Sequence, residues 1–130
     1  MARLILLVDD ERLGRLVTQT ILEKLGFEVE VLDDGRGAAD ADATMQFEAI
    51  VMDCQMPHMD GFEATQEIRR RQRDDRATRT PIIGLSSRAM RGDDEAALAK
   101  GMDVYITKPV TMSKVRRALE QVLGDSAGLP

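Results

Sequence analysis

Short runs made almost wholly of apolar residues recur along this chain, and each breaks off at a charged or hydroxyl side chain. Leu4 to Val8 stops at Asp9-Asp10-Glu11, Ile50-Val51-Met52 stops at Asp53, and Ile82 to Leu85, opened by Pro81, stops at Ser86-Ser87. Runs of this length without polar alternation read as strands buried on both faces. Burial on both faces needs cover on both sides, and the segments between the runs have a helical period. That combination restricts the chain to an α/β architecture: a parallel sheet between helices, joined by right-handed crossovers.

In order, the first strand is Leu4 to Val8. A helix follows, with Leu13, Leu16, Val17, Thr20, Ile21 and Leu25 marking one helical face and Gly26 as its stop. Phe27 to Leu32 is a second strand, Asp33-Asp34-Gly35 a turn, and Ala38 to Met45 a short helix. The third strand, Glu48 to Met52, ends at Asp53. Gly61 to about Arg73 is a helix with Phe62, Thr65 and Ile68 inward, followed by a charged linker to Thr80. The fourth strand, Ile82 to Leu85, ends at Ser86, and a helix from about Ala89 to Lys100 is closed by Gly101. Val104 to Ile106 is the fifth strand, ending at Thr107-Lys108-Pro109. Thr111 or Ser113 caps a last helix with Val115, Ala118, Leu119 and Val122 inward. The expected fold is a doubly wound, flavodoxin-like sheet of five parallel strands in the order 2-1-3-4-5 with five helices. Residues 1–124 form one domain and 125–130 a frayed tail.

Bulk properties narrow the partners. The 130 residues carry 18 Lys+Arg against 23 Asp+Glu, a net charge of −5, which disfavours sequence-independent nucleic-acid or membrane-surface binding. No apolar run approaches the length of a membrane span, and Met1-Ala2-Arg3 leads straight into a strand rather than a cleavable signal. The single cysteine, Cys54, reads as an inert buried thiol and fits a reducing cytoplasm. The arginines at 69, 70, 71, 73, 76 and 79 read as a solvated face with its loop.

In the order 2-1-3-4-5, strands 1, 3, 4 and 5 are consecutive neighbours, and ligands of such sheets bind outside the carboxyl ends of the strands. Those ends collect Asp9 and Asp10, Asp53, Ser86 and Lys108 in one crevice. Three carboxylates this close repel one another unless a hard divalent cation sits among them. Oxygen-only ligation with room for water suits Mg²⁺. A lysine and a hydroxyl opposite suit a phosphoryl group, which brings a charge of about −2 and three acceptor oxygens. The plainer use of Asp9, Asp10 and Glu11 is to favour the first turn of the following helix.

Val8-Asp9-Asp10-Glu11, Met52-Asp53-Cys54-Gln55-Met56-Pro57 with Gly61, Ser86-Ser87 and Thr107-Lys108-Pro109, each at a strand end, resemble a receiver domain of two-component response regulators over nearly the whole chain. The wording from Met52 to Gly61 resembles receivers attached to hybrid sensor kinases more than the shortest stand-alone ones. The resemblance implies that Asp53 accepts a phosphoryl group from a phosphohistidine on a histidine kinase or histidine phosphotransfer protein. It implies that Asp10, Asp53 and the Gln55 carbonyl ligate Mg²⁺ directly, with Asp9 acting through water. It further implies that Lys108 pairs with Asp53 and then the phosphoryl oxygens, and that a cis bond precedes Pro109. Ser86 would move to the phosphoryl group and Tyr105 would turn inward after it, switching a surface for a downstream effector. Such a domain is an autocatalytic switch, not a turnover enzyme. Two positions depart from the common pattern: the switch hydroxyl is Ser rather than Thr, and Ser87 stands where Ala is usual, so a one-residue slip would nominate Ser87.

Two other readings share parts of this pattern. A haloacid-dehalogenase-type phosphatase also uses an aspartyl nucleophile and Mg²⁺, but needs a second Asp where Gln55 stands. A flavodoxin-like electron carrier needs a Ser/Thr/Gly-rich phosphate loop after strand 1, where this chain has Asp9-Asp10-Glu11.

Overall fold

The computed structural model describes residues 3–56, 60–75, 79–86 and 101–130. Five parallel strands, β1 (Leu4–Val8), β2 (Glu28–Leu32), β3 (Ala49–Asp53), β4 (Ile82–Ser86) and β5 (Val104–Thr107), form one sheet in the order β2-β1-β3-β4-β5. The described helices are α1 (Arg12–Lys24), α2 (Ala38–Thr44), α3 (Gly61–Asp75) and α4 (Met112–Leu123), four rather than the five expected. The helix expected from about Ala89 to Lys100, and with it Ser87, lies outside the described residues.

Strand pleating explains why the apolar runs have no polar alternation. Successive side chains alternate between faces, and both faces are covered. Leu6, Val8, Ile50, Met52 and Ile82 pack with Ala38, Ala39, Phe47, Ala64 and Ile68 on the side of α2 and α3. Ile5, Leu7, Ala49, Val51, Ile83 and Leu85 pack with Leu22, Leu25, Val115, Ala118 and Leu119 on the side of α1 and α4. Parallel register aligns Val8 with Met52 and Asp53 with Leu85, so β1, β3 and β4 run out together at one edge. Gly26, at φ 99°, turns the chain after α1 in a conformation that favours glycine.

The structure corrects the reading of α1. Its inward face is Thr18, Leu22, Leu25 and half-buried Ile21, while Leu13, Leu16 and Val17 are 68%, 58% and 45% exposed. Leu13 and Val17 instead face the Lys108–Val110 loop at the carboxyl edge. At about 3.6 residues per turn, Leu13, Leu16, Val17 and Thr20 form a stripe on a different face from Thr18, Ile21, Leu22 and Leu25, and only the second stripe meets the sheet.

Arg69 is corrected as well. It is only 8% exposed, and its guanidinium donates to Gly101 O (2.9 Å), Thr80 O (2.7 Å), Gln72 and Asp103. Asp103 also accepts the Ile82 N–H, and Asp42 of α2 receives Gln72 and Thr80. This polar knot joins α2, α3, β4 and the turn before β5 at the amino end of the sheet. The segment after Gly124 is not wholly frayed either. It continues as a 3₁₀ turn, Gly124–Ala127, with Ala127 buried and its carbonyl accepting from Arg3. Arg3 also lies 4.9 Å over the Phe27 ring and pairs with Glu48.

Candidate functional site

The strand ends converge as expected. One oxygen from each of Asp9, Asp10 and Asp53 lies within 4.8 Å of the others. Lys108 enters from the loop after β5, with Nζ 3.5 Å from Asp53 Oδ1. Asp53 Oδ1 also accepts the Gln55 N–H at 3.1 Å, a local turn that orients the carboxylate. The Lys108–Pro109 peptide is cis.

The carboxylates are not equivalent. Asp10 is exposed, whereas Asp9 and Asp53 are buried, with 1% and 2% exposure. Burial pushes the Asp53 carboxyl up to about 6; the neighbouring Asp9 charge adds to the rise, while the Gln55 N–H and Lys108 oppose it. Asp9 Oδ1 accepts the Glu11 N–H at 2.9 Å, but buried Asp9 Oδ2 has no hydrogen-bond partner among the described residues. A buried carboxylate oxygen without a donor is costly, and a cation among the three acids would satisfy it. An oxygen-only donor set with one exposed member fits a hard ion that keeps water, as Mg²⁺ does. The simpler capping role belongs to Glu11, whose Oε2 accepts the Gly14 N–H at 2.7 Å at the start of α1.

Ser86 is buried at the end of β4 and pairs in register with Thr107. Tyr105, half-buried on β5, packs against the α2/α3-side core, and its hydroxyl oxygen accepts from Thr107 Oγ1 at 3.4 Å. Arg15 was not singled out from the sequence. Its guanidinium donates to the Asp9 carbonyl at 3.0 Å and fixes the turn that presents Asp9. A bond from a side chain to a main-chain oxygen leaves no mark in residue pattern.

With a divalent cation among the three acids, such a crevice would offer the ion and Lys108 as two positive groups to a small anion brought against a carboxylate. A family model described as the response regulator receiver domain matches residues 5–120. The sensor histidine kinase GacS of Pseudomonas protegens is 39% identical over 125 residues, covering 96% of this chain but 13% of its own length. The chain therefore spans a small part of that curated relative. Among solved structures, the receiver domain of a Pseudomonas aeruginosa sensor histidine kinase, with a magnesium ion coordinated in its active site cleft, is 37% identical with TM-score 0.83. The alignment covers 96% of this chain and 100% of that one. The receiver domain of the histidine kinase CKI1 from Arabidopsis thaliana, complexed with Mg²⁺ and BeF₃⁻, is 34% identical with TM-score 0.73, covering 89% of each chain.

Proposed function

From the premise that the chain belongs to the response regulator receiver domain family, we propose that it is a phosphorelay switch whose Asp53 takes a phosphoryl group from a partner's phosphohistidine. The donor is a histidine kinase or a histidine phosphotransfer protein in a reducing cytoplasm. The observation that carries this reading is the meeting of Asp9, Asp10 and Asp53 within 4.8 Å, faced by Lys108.

Each residue has a definable task. The Gln55 N–H and Lys108 both engage Asp53 Oδ1, so the carboxylate is oriented and Oδ2 is left to attack phosphorus. The Oδ2–P bond forms as the donor's N–P bond breaks, and the nitrogen keeps the bonding electron pair. Lys108 moves with the charge from carboxylate to phosphoryl oxygens. Asp10, Asp53 and the Gln55 carbonyl would hold Mg²⁺, with Asp9 behind a water. When bound, the ion neutralises charge spreading over the phosphoryl oxygens. Little further chemistry is required, because phosphoryl transfer rests on positioning and charge stabilisation. The group stays on the chain's own side chain until water removes it, so the domain is a switch rather than a turnover enzyme.

The readout runs through Ser86 and Tyr105. The Ser86 hydroxyl is drawn toward the phosphoryl oxygens, and Tyr105 follows into the vacated space, changing the surface offered to an effector. Incubation with Mg²⁺ and a small acyl phosphate, read by intact mass, tests the assignment. One added phosphoryl group is expected, absent in Asp53→Asn; a modified Asp53→Asn protein refutes the nucleophile.

The exposed stripe of α1 bears on the donor. Leu13 and Val17 line one wall of a cavity of about 280 Å³ that also touches Asp9, Lys108, Pro109 and Val110. Leu16 lies on the same exposed face. A donor that brings a histidine to Asp53 has this apolar wall to seat on. Leu16→Ala should leave stability within about 0.5 kcal/mol, because the side chain packs on little. It should slow transfer from a protein donor roughly tenfold, a loss of about 1.4 kcal/mol at an apolar contact, and leave transfer from acyl phosphate unchanged. An equal loss with both donors would place the effect in the site instead.

A further inference from the structure

The backbone on either side of Lys108 is hydrogen-bonded by another lysine. The Lys108 N–H itself donates inward to Ser86 O at 2.7 Å. A trans peptide sends its carbonyl the opposite way, so Thr107 O faces the outer side of β5, the last strand of the sheet. Among the described residues no further strand lies there, and an edge carbonyl must find another donor. Lys114 Nζ donates to Thr107 O at 2.9 Å and to Pro109 O at 3.1 Å. One ammonium thus ties the carbonyl before Lys108 to the carbonyl after it.

The location of Lys114 sharpens the point. It lies in the first turn of α4, where the positive end of the helix disfavours a cation, and that turn contains no acidic residue. Helix stability gives no reason for a lysine there; the two carbonyls do. The Lys108 side chain is long and partly exposed, at 28%, so where its ammonium lies depends on how firmly its backbone is anchored. Misplacing a catalytic group by about 1 Å can slow a reaction on the order of a hundredfold.

We propose that Lys114 is a positioning residue for phosphoryl transfer, fixing the Thr107–Pro109 backbone so that Lys108 stays over Asp53. This rests on the phosphoacceptor reading above. The test compares wild type, Lys114→Met and Lys114→Arg in phosphorylation by acyl phosphate, Mg²⁺ affinity, thermal midpoint and hydrogen exchange of the Lys108 amide. Lys114→Met should phosphorylate roughly tenfold more slowly, with Mg²⁺ affinity and midpoint unchanged and Lys108 exchange accelerated roughly tenfold; Lys114→Arg, which keeps a cationic donor, should restore most of both losses. A wild-type rate in Lys114→Met, or no rescue by arginine, overturns the proposal. A slow rate matched by a lower midpoint or weaker Mg²⁺ binding also overturns it, because the role is then structural. If the wild type takes up no phosphoryl group, the phosphoacceptor reading fails and with it the catalytic part of the proposal. The Lys108 exchange rates then report whether the anchor itself exists.

Discussion

Asparagine in place of Asp53 should raise the thermal midpoint of the metal-free domain by roughly 5–10 °C at pH 7. The cause is the buried carboxylate, whose folded pKa is pushed from 3.8 to about 6, chiefly by desolvation. A carboxyl that holds its proton more tightly when folded stabilises the fold fully below pH 4, and that stabilisation is lost as pH rises through about 6. Two units correspond to roughly 3 kcal/mol. Asparagine has nearly the same shape and no charge to bury, so the variant should lack this slope, and the two proteins should converge below pH 4. Lys108, left without its partner, is exposed enough to be hydrated. Saturating Mg²⁺ should narrow the gap by stabilising wild type more than the variant. Parallel melting curves from pH 4 to 8 without metal would show that the carboxylate carries no such strain.

Gly61→Ala should remove function without removing a functional group. A Cβ at Gly61 would stand 2.1 Å from the Asp53 carbonyl oxygen and 2.8 Å from both Asp53 C and Cys54 Cα. All three are main-chain atoms, so no rotamer relieves the clash. The Gly61 N–H also donates to Cys54 O at 3.2 Å, and that contact would be lost as the segments part. Overpacking of this kind costs about 3 kcal/mol. The midpoint should fall by roughly 10 °C, and phosphoryl uptake by more than tenfold as the Asp53 backbone shifts. Gly26→Ala is the control. Its φ of 99° adds strain, but nothing lies within 4 Å of a Cβ there, so stability should fall by about 1–2 kcal/mol with uptake unchanged. Uptake by Gly61→Ala at the wild-type rate would show that the loop yields without moving Asp53.

The sheet was legible because its signals are local. Apolar runs end abruptly at Asp9, Asp53 and Ser86, and those side chains mark the carboxyl edge. The convergence of Asp9, Asp10, Asp53 and Lys108 followed from strand order alone. What escaped depends on distant geometry. The stripe of Leu13, Leu16 and Val17 has a helical period, but period does not say which face of a helix meets the sheet. Arg69 sits among charged neighbours in sequence, yet is buried because Thr80, Gly101 and Asp103 bring it acceptors from other elements. Arg15 and Lys114 bond main-chain oxygens, which every residue has, so no sequence pattern marks them.

The polar knot around Arg69 has a mechanical consequence. It fastens α2, α3, β4 and the turn before β5 at the amino end of the sheet, where one guanidinium donates to Gly101, Thr80, Gln72 and Asp103. The opposite end holds three acids that push one another apart. The molecule is riveted at one end and sprung at the other. A change of charge at Asp53 therefore acts at the opposite end of the strands from this fastening, and the bonds of Arg69 hold the amino-end geometry whatever the charge of the site.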